Sequence, residues 1–238
     1  MKLNTNSNIY TVVYASVVVV IVAFLLAFVS TALKSKSDAN VENDTKKQIL
    51  ASLGQRNVAD SEVAAAWDKY IVADQVVDTT GNIVKDGLQK DHDGFRIDRR
   101  DIKPENNALP VFVASVNGET KYVLPLTGKG LWGPIWGYLA VDADGQTVFG
   151  AFFNHESETA GLGAEIKAEY FQQAFVGKKL EDADGKAALT VVKNGKVENP
   201  DTQCDGISGA TLTGNGVAAM LSEGVKMYQP YLHKLLNK

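Results

Sequence analysis

The chain has 238 residues, of which 24 are Lys or Arg and 28 are Asp or Glu, with a formal net charge of −4 at pH 7. Its slight acidity and its lack of a basic stripe argue against nucleic acid as a partner. The single cysteine, Cys204, excludes an internal disulfide and a cysteine-ligated zinc or iron–sulfur site. We expect Cys204 to be a buried structural thiol.

The N-terminal segment is apolar and uncharged from Ile9 to Leu33. A membrane-spanning helix takes about 20 apolar residues, whereas the apolar part of a cleavable signal peptide takes about 7 to 15. We therefore predict a retained single-pass anchor at residues 1–34, in contact with the membrane through residues 9–33. More lysines follow the span (Lys34, Lys36, Lys46 and Lys47) than precede it (Lys2). By the positive-inside rule, this count favours a cytoplasmic location for the rest of the chain.

Residues 35–110 are predicted to form a polar stalk and an N-terminal α/β region. The stalk passes into a short amphipathic helix around Lys46–Leu53. A second helix is expected at Ser61–Val72, where apolar side chains recur on one side. From Val72 onward, patterns typical of strands dominate.

Turn dipeptides divide the remaining sequence into short strands. They are Asn117-Gly118, Asp144-Gly145, Asp184-Gly185 and Asn194-Gly195, which are typical of hairpins. The predicted strands are Val111–Val116, Lys121–Leu126, Ile135–Val141 and Ala188–Val192, and the predicted helices are Ala164–Phe175 and Thr213–Leu236, bent near Pro230. The predicted fold class is α+β: an N-terminal transmembrane helix, then a mixed, largely antiparallel sheet domain with packed helices.

The most informative local feature is the run that ends at Thr211. It reads Asp205-Gly206-Ile207-Ser208-Gly209-Ala210-Thr211 and leads into a helical pattern. Its small residues permit a tight turn and close approach. A helix N-terminus attracts anions, so a phosphate beside Thr211 would be well placed. The alternative is that these hydroxyls only cap the helix.

The order Asp-x-x-Ser-Gly-Ala-Thr resembles the flavinylation motif of FMN-binding domains. These domains occur in the C subunit of the Na+-translocating NADH:quinone reductase and in the G subunit of the related Rnf electron-transport complex. The resemblance implies one FMN per chain, joined by a flavin transferase to the Thr211 oxygen as a phosphoester. The other motif positions are Asp205, Ser208, Gly209 and Ala210. Flavin that survives Thr211→Val would instead implicate Thr213.

Two further segments resemble the same family. They are the glycine-tryptophan segment Gly128–Gly137 and the loop Glu158–Gly163, in which Ala160 stands where proline is usual. A flavin ring needs an apolar or aromatic surface and close main-chain approach, and its anionic groups favour a nearby cation. The candidate flavin contacts are Lys129, Leu131, Trp132, Thr159, Gly161, Leu162 and Gly163. For Trp136, core packing explains the residue as well as a flavin contact does.

Several other motifs are weaker. Gly128–Gly133 fits the dinucleotide fingerprint, but Pro134 and a strand pattern follow where a helix is required, so no NAD site is expected. The run Gly206–Gly209 is one residue short of a nucleophile elbow. We expect no metal site and no catalytic residue, although His155, beside the 158–163 loop, remains a candidate general base.

The resemblance implies a membrane-anchored flavoprotein whose FMN-binding domain spans residues 111–238. Such a subunit relays electrons within the sodium-pumping NADH:quinone reductase without an NADH site of its own, and its partners are the other subunits and the transferase. The family location is the bacterial inner (cytoplasmic) membrane with a periplasmic flavin domain, and we follow it against the lysine count. The Rnf G subunit and an unmodified membrane-anchored binding or assembly module are the alternatives. The stalk Lys46–Leu50 and the extended region before residue 110 favour the reductase over the Rnf complex.

Overall fold

The structure is a computed structural model that describes residues 7–236. Residues 1–6 of the predicted anchor, with Lys2 among them, and residues 237–238 of the predicted FMN-binding domain lie outside the described residues. The chain forms two compact units, Met1–Thr45 and Lys46–Lys238.

The first unit is helical. Helix α1 (Asn8–Ser52) begins there and has an 18-residue window with a mean hydropathy of 3.0, none of it buried. Within residues 7–236 it is the one helix long and apolar enough to cross a bilayer. A lipid bilayer suits such a helix, because its exposed side chains are apolar and its backbone N–H and C=O groups are hydrogen-bonded within the helix. This agrees with the predicted anchor.

The predicted stalk is not a separate segment, because α1 continues through it to Ser52. Residues 35–52 contain neither Gly nor Pro, so nothing in this polar stretch interrupts a helix. The helix ends at Ser52, and Gly54 just after it has a φ of 79°, the left-handed conformation typical of a residue that follows a helix. The amide of Gln55 then donates to the Leu50 carbonyl at 2.9 Å, which closes the last turn.

The second unit is built on a six-stranded antiparallel sheet in the order β2-β1-β3-β4-β5-β6. The strands are β1 (Ile71–Val77), β2 (Ile83–Lys85), β3 (Leu109–Val116), β4 (Glu119–Lys129), β5 (Pro134–Asp142) and β6 (Val148–His155). The other elements are α2 (Val63–Tyr70), α3 (Glu169–Gln173), β7 (Thr190–Val192), β8 (Gln203–Asp205) and α4 (Thr211–Leu236). The α+β class and the antiparallel sheet are confirmed.

Both faces of the sheet are covered, so successive residues of the central strands are buried in different clusters. On β4, Leu124 and Leu126 belong to the larger cluster, which includes side chains of α4. Val123 belongs to the second cluster, which contains Ile49 and Leu50 from the end of α1 and Trp67 of α2. Burial on both faces explains why these strands read as nearly continuous apolar runs.

Two further predicted elements differ from the structure. The strand predicted at 188–192 forms β7, but it pairs in parallel with β8 rather than in a hairpin across Asn194-Gly195. The helix predicted at Ala164–Phe175 is a 3-10 turn (Gly163–Lys167) followed by α3, with extended backbone at Ala168 between them. The buried Gln172 amide donates to the Lys167 and Phe153 carbonyls at 3.1 and 3.0 Å, so tertiary bonds compensate for the break.

Candidate functional site

A tight turn leads into α4. The Ala210 amide donates to the Ile207 carbonyl at 3.1 Å, and Gly209, at the third position of this turn, has a φ of 77°. That conformation favours glycine at the third position of a type II turn. Ser208 and Gly209 are exposed at the turn, whereas Ala210 is buried.

Asp205 holds this turn in place from the end of β8. Its Oδ1 accepts the Gly195 amide at 2.7 Å, and the Asn194 side chain donates to the Gly206 carbonyl at 2.8 Å. The carboxylate of the predicted motif is therefore used inside the fold. A shallow groove runs beside the turn, lined among others by Lys193, Asn194, Ile207, Thr211 and Asn215.

The two threonines at the start of α4 have different surroundings. Thr211, the first residue of the helix, is exposed, and its hydroxyl forms no hydrogen bond with any described residue. Thr213 is 2 % exposed and donates its hydroxyl to Glu158 Oε2 at 2.5 Å. Of the two hydroxyls, only that of Thr211 is accessible at the helix N-terminus.

The glycine-tryptophan segment forms the tip of the β4–β5 hairpin. The Gly130 amide donates to the Gly133 carbonyl at 2.8 Å, which leaves Leu131 and Trp132 at the tip, 46 % and 65 % exposed. Lys129 ends β4 with an exposed side chain. Its carbonyl lies against α4, where a Cβ on Gly216 would stand 2.4 Å from that oxygen. The hairpin tip is thus packed directly against the first turns of α4.

The 158–163 loop reaches both of these segments. Its turn is closed by amides of Leu162 and Ala164, which both donate to the Thr159 carbonyl at 3.1 Å. Leu162 is 42 % exposed and lies against Gly209, where a Cβ would stand 2.9 Å from Leu162 Cδ2. Thr159 and Gly161 are exposed, and Gly161 has a φ of 73°.

Glu158 joins the three segments. It is 7 % exposed, and its Oε1 accepts the Trp132 amide at 2.8 Å while its Oε2 accepts the Thr213 hydroxyl. Gly163 is buried, and a Cβ on it would stand 2.4 Å from Thr213 Oγ1 and 2.5 Å from Glu158 Oε2. The space freed by Gly163 is therefore filled by these side chains.

The structure brings most of the predicted site residues together, but it places Trp136 away from them. Trp136 lies on the other face of the sheet, where its Nε1 donates to Gln48 at 2.8 Å and Arg99 stacks 3.9 Å from the ring centroid. Core packing is therefore its role. Glu158 was not among the predicted contacts, and Thr213 was considered only as an alternative attachment residue. The glycines that pack on Glu158, Gly130 and Gly163, belong to segments already assigned to flavin binding, so nothing separate in the sequence indicated the carboxylate.

His155 supports the same loop. Its Nδ1 accepts the Glu158 amide at 3.2 Å, and its Nε2 is buried without a partner among the described residues. Desolvation, with a smaller effect of Lys167, lowers the pKa of His155, against an opposing effect of Glu158. Cys204 is buried and donates to the Ala174 carbonyl at 3.3 Å, and its burial raises its thiol pKa to about 12. The predicted structural role of Cys204 is confirmed.

The site as a whole suits a phosphorylated, flat and partly apolar ligand. The α4 N-terminus and Lys193 favour an anion beside the free hydroxyl of Thr211. Leu131, Trp132 and Leu162 provide exposed apolar surface on the adjoining segments. Exposed apolar side chains on converging loops are typical of a binding surface. These residues fit an FMN whose phosphate is near the helix and whose ring is near the apolar side chains.

Comparisons with known proteins agree with this geometry. Residues 130–226 match the family described as the FMN-binding domain. The chain is 32 % identical to the C subunit of the Na+-translocating NADH-quinone reductase of Haemophilus ducreyi and 34 % identical to that of Neisseria meningitidis, over 98 % of this chain and 96 % of each relative. The crystal structure of the same C subunit from Parabacteroides distasonis superimposes with a TM-score of 0.77 at 39 % identity, over 84 % of this chain and 96 % of that one.

Proposed function

Because the chain belongs to the C subunit family of the Na+-translocating NADH-quinone reductase, we propose that it carries one FMN, bound covalently as a phosphoester of Thr211. The observation that carries this proposal is the contrast between the two threonines of α4. Thr211 has an accessible, unbonded hydroxyl at the helix N-terminus, whereas the Thr213 hydroxyl is buried on Glu158. A flavin transferase needs access to the oxygen that it modifies.

The protein's own residues have three tasks in this proposal. The free N–H groups at the start of α4, together with Lys193, stabilise the negative charge of the phosphoester. Leu131, Trp132 and Leu162 would hold the flavin ring on an apolar surface that keeps water away from it. A bound flavin accepts and donates electrons, and covalent attachment prevents its loss during repeated turnover.

The role that follows is an electron relay between other subunits of the reductase. The part of the chain that the structure describes contains no group of three or more His, Cys, Asp or Glu residues arranged to hold a metal ion. The candidate dinucleotide fingerprint Gly128–Gly133 continues into β5 rather than into a helix. We therefore infer that the FMN is the redox group of this chain and that NADH oxidation occurs on another subunit.

The membrane side is also part of the proposal. We place the second unit in the periplasm, with α1 anchored in the bacterial inner membrane. Two of the lysines that argued for the opposite orientation are engaged in the folded unit, since Lys46 pairs with Asp91 at 2.8 Å and Lys47 pairs with Asp60. The periplasmic placement therefore rests on the family resemblance, against the lysine count of the positive-inside rule.

Thr211→Val tests the attachment. We expect mass spectrometry of the wild-type peptide that contains Thr211 to show the added mass of FMN, when the protein is produced with its transferase. The variant should lose covalent flavin fluorescence in denaturing gels, because valine has a similar shape and no oxygen. Thr120→Val, at an exposed position at the opposite end of β4 from Lys129, is the matched control and should keep the flavin. Flavin retained on Thr211→Val, or a bare Thr211 in the wild type, would refute the proposal.

A further inference from the structure

Glu158 is a buried carboxylate that has no ion-pair partner among residues 7–236. Its carboxylate hydrogen bonds come from two neutral donors, the Trp132 amide at 2.8 Å and the Thr213 hydroxyl at 2.5 Å. Bonds of this kind stabilise a carboxylate well, but they leave its negative charge in place. The carboxylate therefore lies just beneath the exposed hairpin tip, without a cationic partner among the described residues.

The surroundings of Glu158 leave the carboxylate a single position. A Cβ on Gly130 would stand 2.5 Å from Oε1, and a Cβ on Gly163 would stand 2.5 Å from Oε2. Any larger residue at either position would displace the carboxylate from its donors. Its location is thus fixed by close packing as well as by hydrogen bonds.

The two donors belong to segments that are distant in sequence. Trp132 is at the β4–β5 hairpin tip, 26 residues before Glu158, and Thr213 is in the first turn of α4, 55 residues after it. The carboxylate thereby ties the apolar tip to the helix that presents Thr211. We propose that Glu158 is a positioning residue for the flavin: it holds Leu131 and Trp132 beside the start of α4, and its charge lowers the reduction potential of the cofactor.

The effect on the potential rests on the proposed function and follows from electrostatics. Reduction adds negative charge to the flavin, and a fixed negative charge nearby opposes that addition. The effect is large only where water does not screen the charge, as for a side chain that is 7 % exposed. Glu156, two residues earlier, is exposed and is therefore the natural comparison.

The positioning role is tested on flavin-free protein, produced without the transferase. Amide hydrogen exchange at Trp132 reports the bond to Glu158 directly. We expect Glu158→Ala to speed exchange at this amide by at least about tenfold, because the acceptor is lost. Glu158→Gln keeps an acceptor oxygen of the same reach, so exchange should stay within a few-fold of the wild type, as it should for Glu156→Gln. Unchanged exchange in Glu158→Ala would contradict the positioning role.

The electrostatic role is tested on the loaded protein by spectroelectrochemical titration. Glu158→Gln should take up FMN to the wild-type stoichiometry and show a higher midpoint potential, whereas Glu156→Gln should match the wild type. An unchanged potential in Glu158→Gln overturns this role. Failure of Glu158→Gln to take up flavin while its Trp132 amide stays protected also contradicts the proposal. A wild type without flavin on Thr211 would refute the proposed function instead, and the exchange result would still stand.

Discussion

Asp74 shows how a single residue organises a long loop. Its buried carboxylate lies on β1, where Oδ2 accepts the amides of Asp93 and Phe95 at 3.2 and 3.0 Å. Its Oδ1 is buried without a partner among the described residues. Desolvation raises the pKa of Asp74, against those backbone hydrogen bonds and with a further increase from Asp91. Folding therefore disfavours the charged form of Asp74 relative to the unfolded chain.

This raised pKa predicts how stability depends on pH. A group whose pKa is higher in the folded state stabilises the fold below its unfolded pKa and loses that contribution as pH rises through its folded pKa. Asp74→Asn keeps an acceptor oxygen and carries no charge, so it should raise the free energy of unfolding at pH 7 by roughly 1 kcal/mol. The gain should shrink toward pH 4.

Urea unfolding of the full chain in detergent, followed by tryptophan fluorescence at pH 4 to 7, measures the effect of Asp74→Asn. Glu62→Gln is the control, because Glu62 is exposed and should change little at any pH. An Asp74→Asn gain that does not vary with pH would show that the charge of Asp74 is not what costs stability.

At the scale of elements, the contact of α4 with β4 decides where Thr211 lies. Gly216 of α4 meets the Lys129 carbonyl, so two backbones are in contact with no side chain between them. Gly214, two residues earlier, has more room, since a Cβ there would be 3.9 Å from the nearest atom, Val191 Cγ1. Close packing therefore requires glycine at position 216 but not at position 214.

Gly216→Ala should destabilise the second unit by about 1 to 3 kcal/mol, because backbone atoms cannot move aside for the new methyl group. Gly214→Ala should be neutral or should stabilise by up to about 1 kcal/mol, since alanine favours a helix and has space. Thermal unfolding of the two variants compares them directly. Equal losses would show that the close approach at Gly216 is not specific.

Strands were easier to predict than the elements between them. The Asn117-Gly118 turn has φ values of 54° and 84°, as its hairpin prediction required, and β3, β4 and β5 lie at the predicted apolar runs. The parallel pairing of β7 with β8 left no such mark, because no local turn joins parallel strands. The length of α1 was missed because polar composition by itself does not end a helix.

For the whole molecule, the orientation of the second unit can be tested with cysteines. The buried Cys204 thiol, with its pKa raised to about 12, should not react with a maleimide, so it need not be replaced. A membrane-impermeant maleimide should label Glu198→Cys, an exposed position of the second unit, in cells whose outer membrane has been permeabilised. Asn8→Cys, at the start of α1, should react only after lysis. The reverse pattern would place the second unit in the cytoplasm.

The sequence by itself determined the features that depend on neighbouring residues. The uncharged run Ile9–Leu33 predicted the membrane helix, since length and hydropathy are local properties. The Ser208-Gly209 pair and the helical pattern after Thr211 predicted a turn that opens a helix. The resemblance of three short segments identified the family, and the comparisons confirm the reductase C subunit rather than the Rnf alternative.

Only the tertiary structure decided which of these residues meet, and how. Glu158 contacts Trp132 and Thr213 across 26 and 55 residues, and no periodicity in the sequence encodes such a contact. The same holds for Trp136, which β5 directs to the face covered by the end of α1. The physical reason is that burial depends on the packing of distant segments. Burial in turn sets how strongly a charge interacts with its neighbours and whether a hydroxyl is accessible.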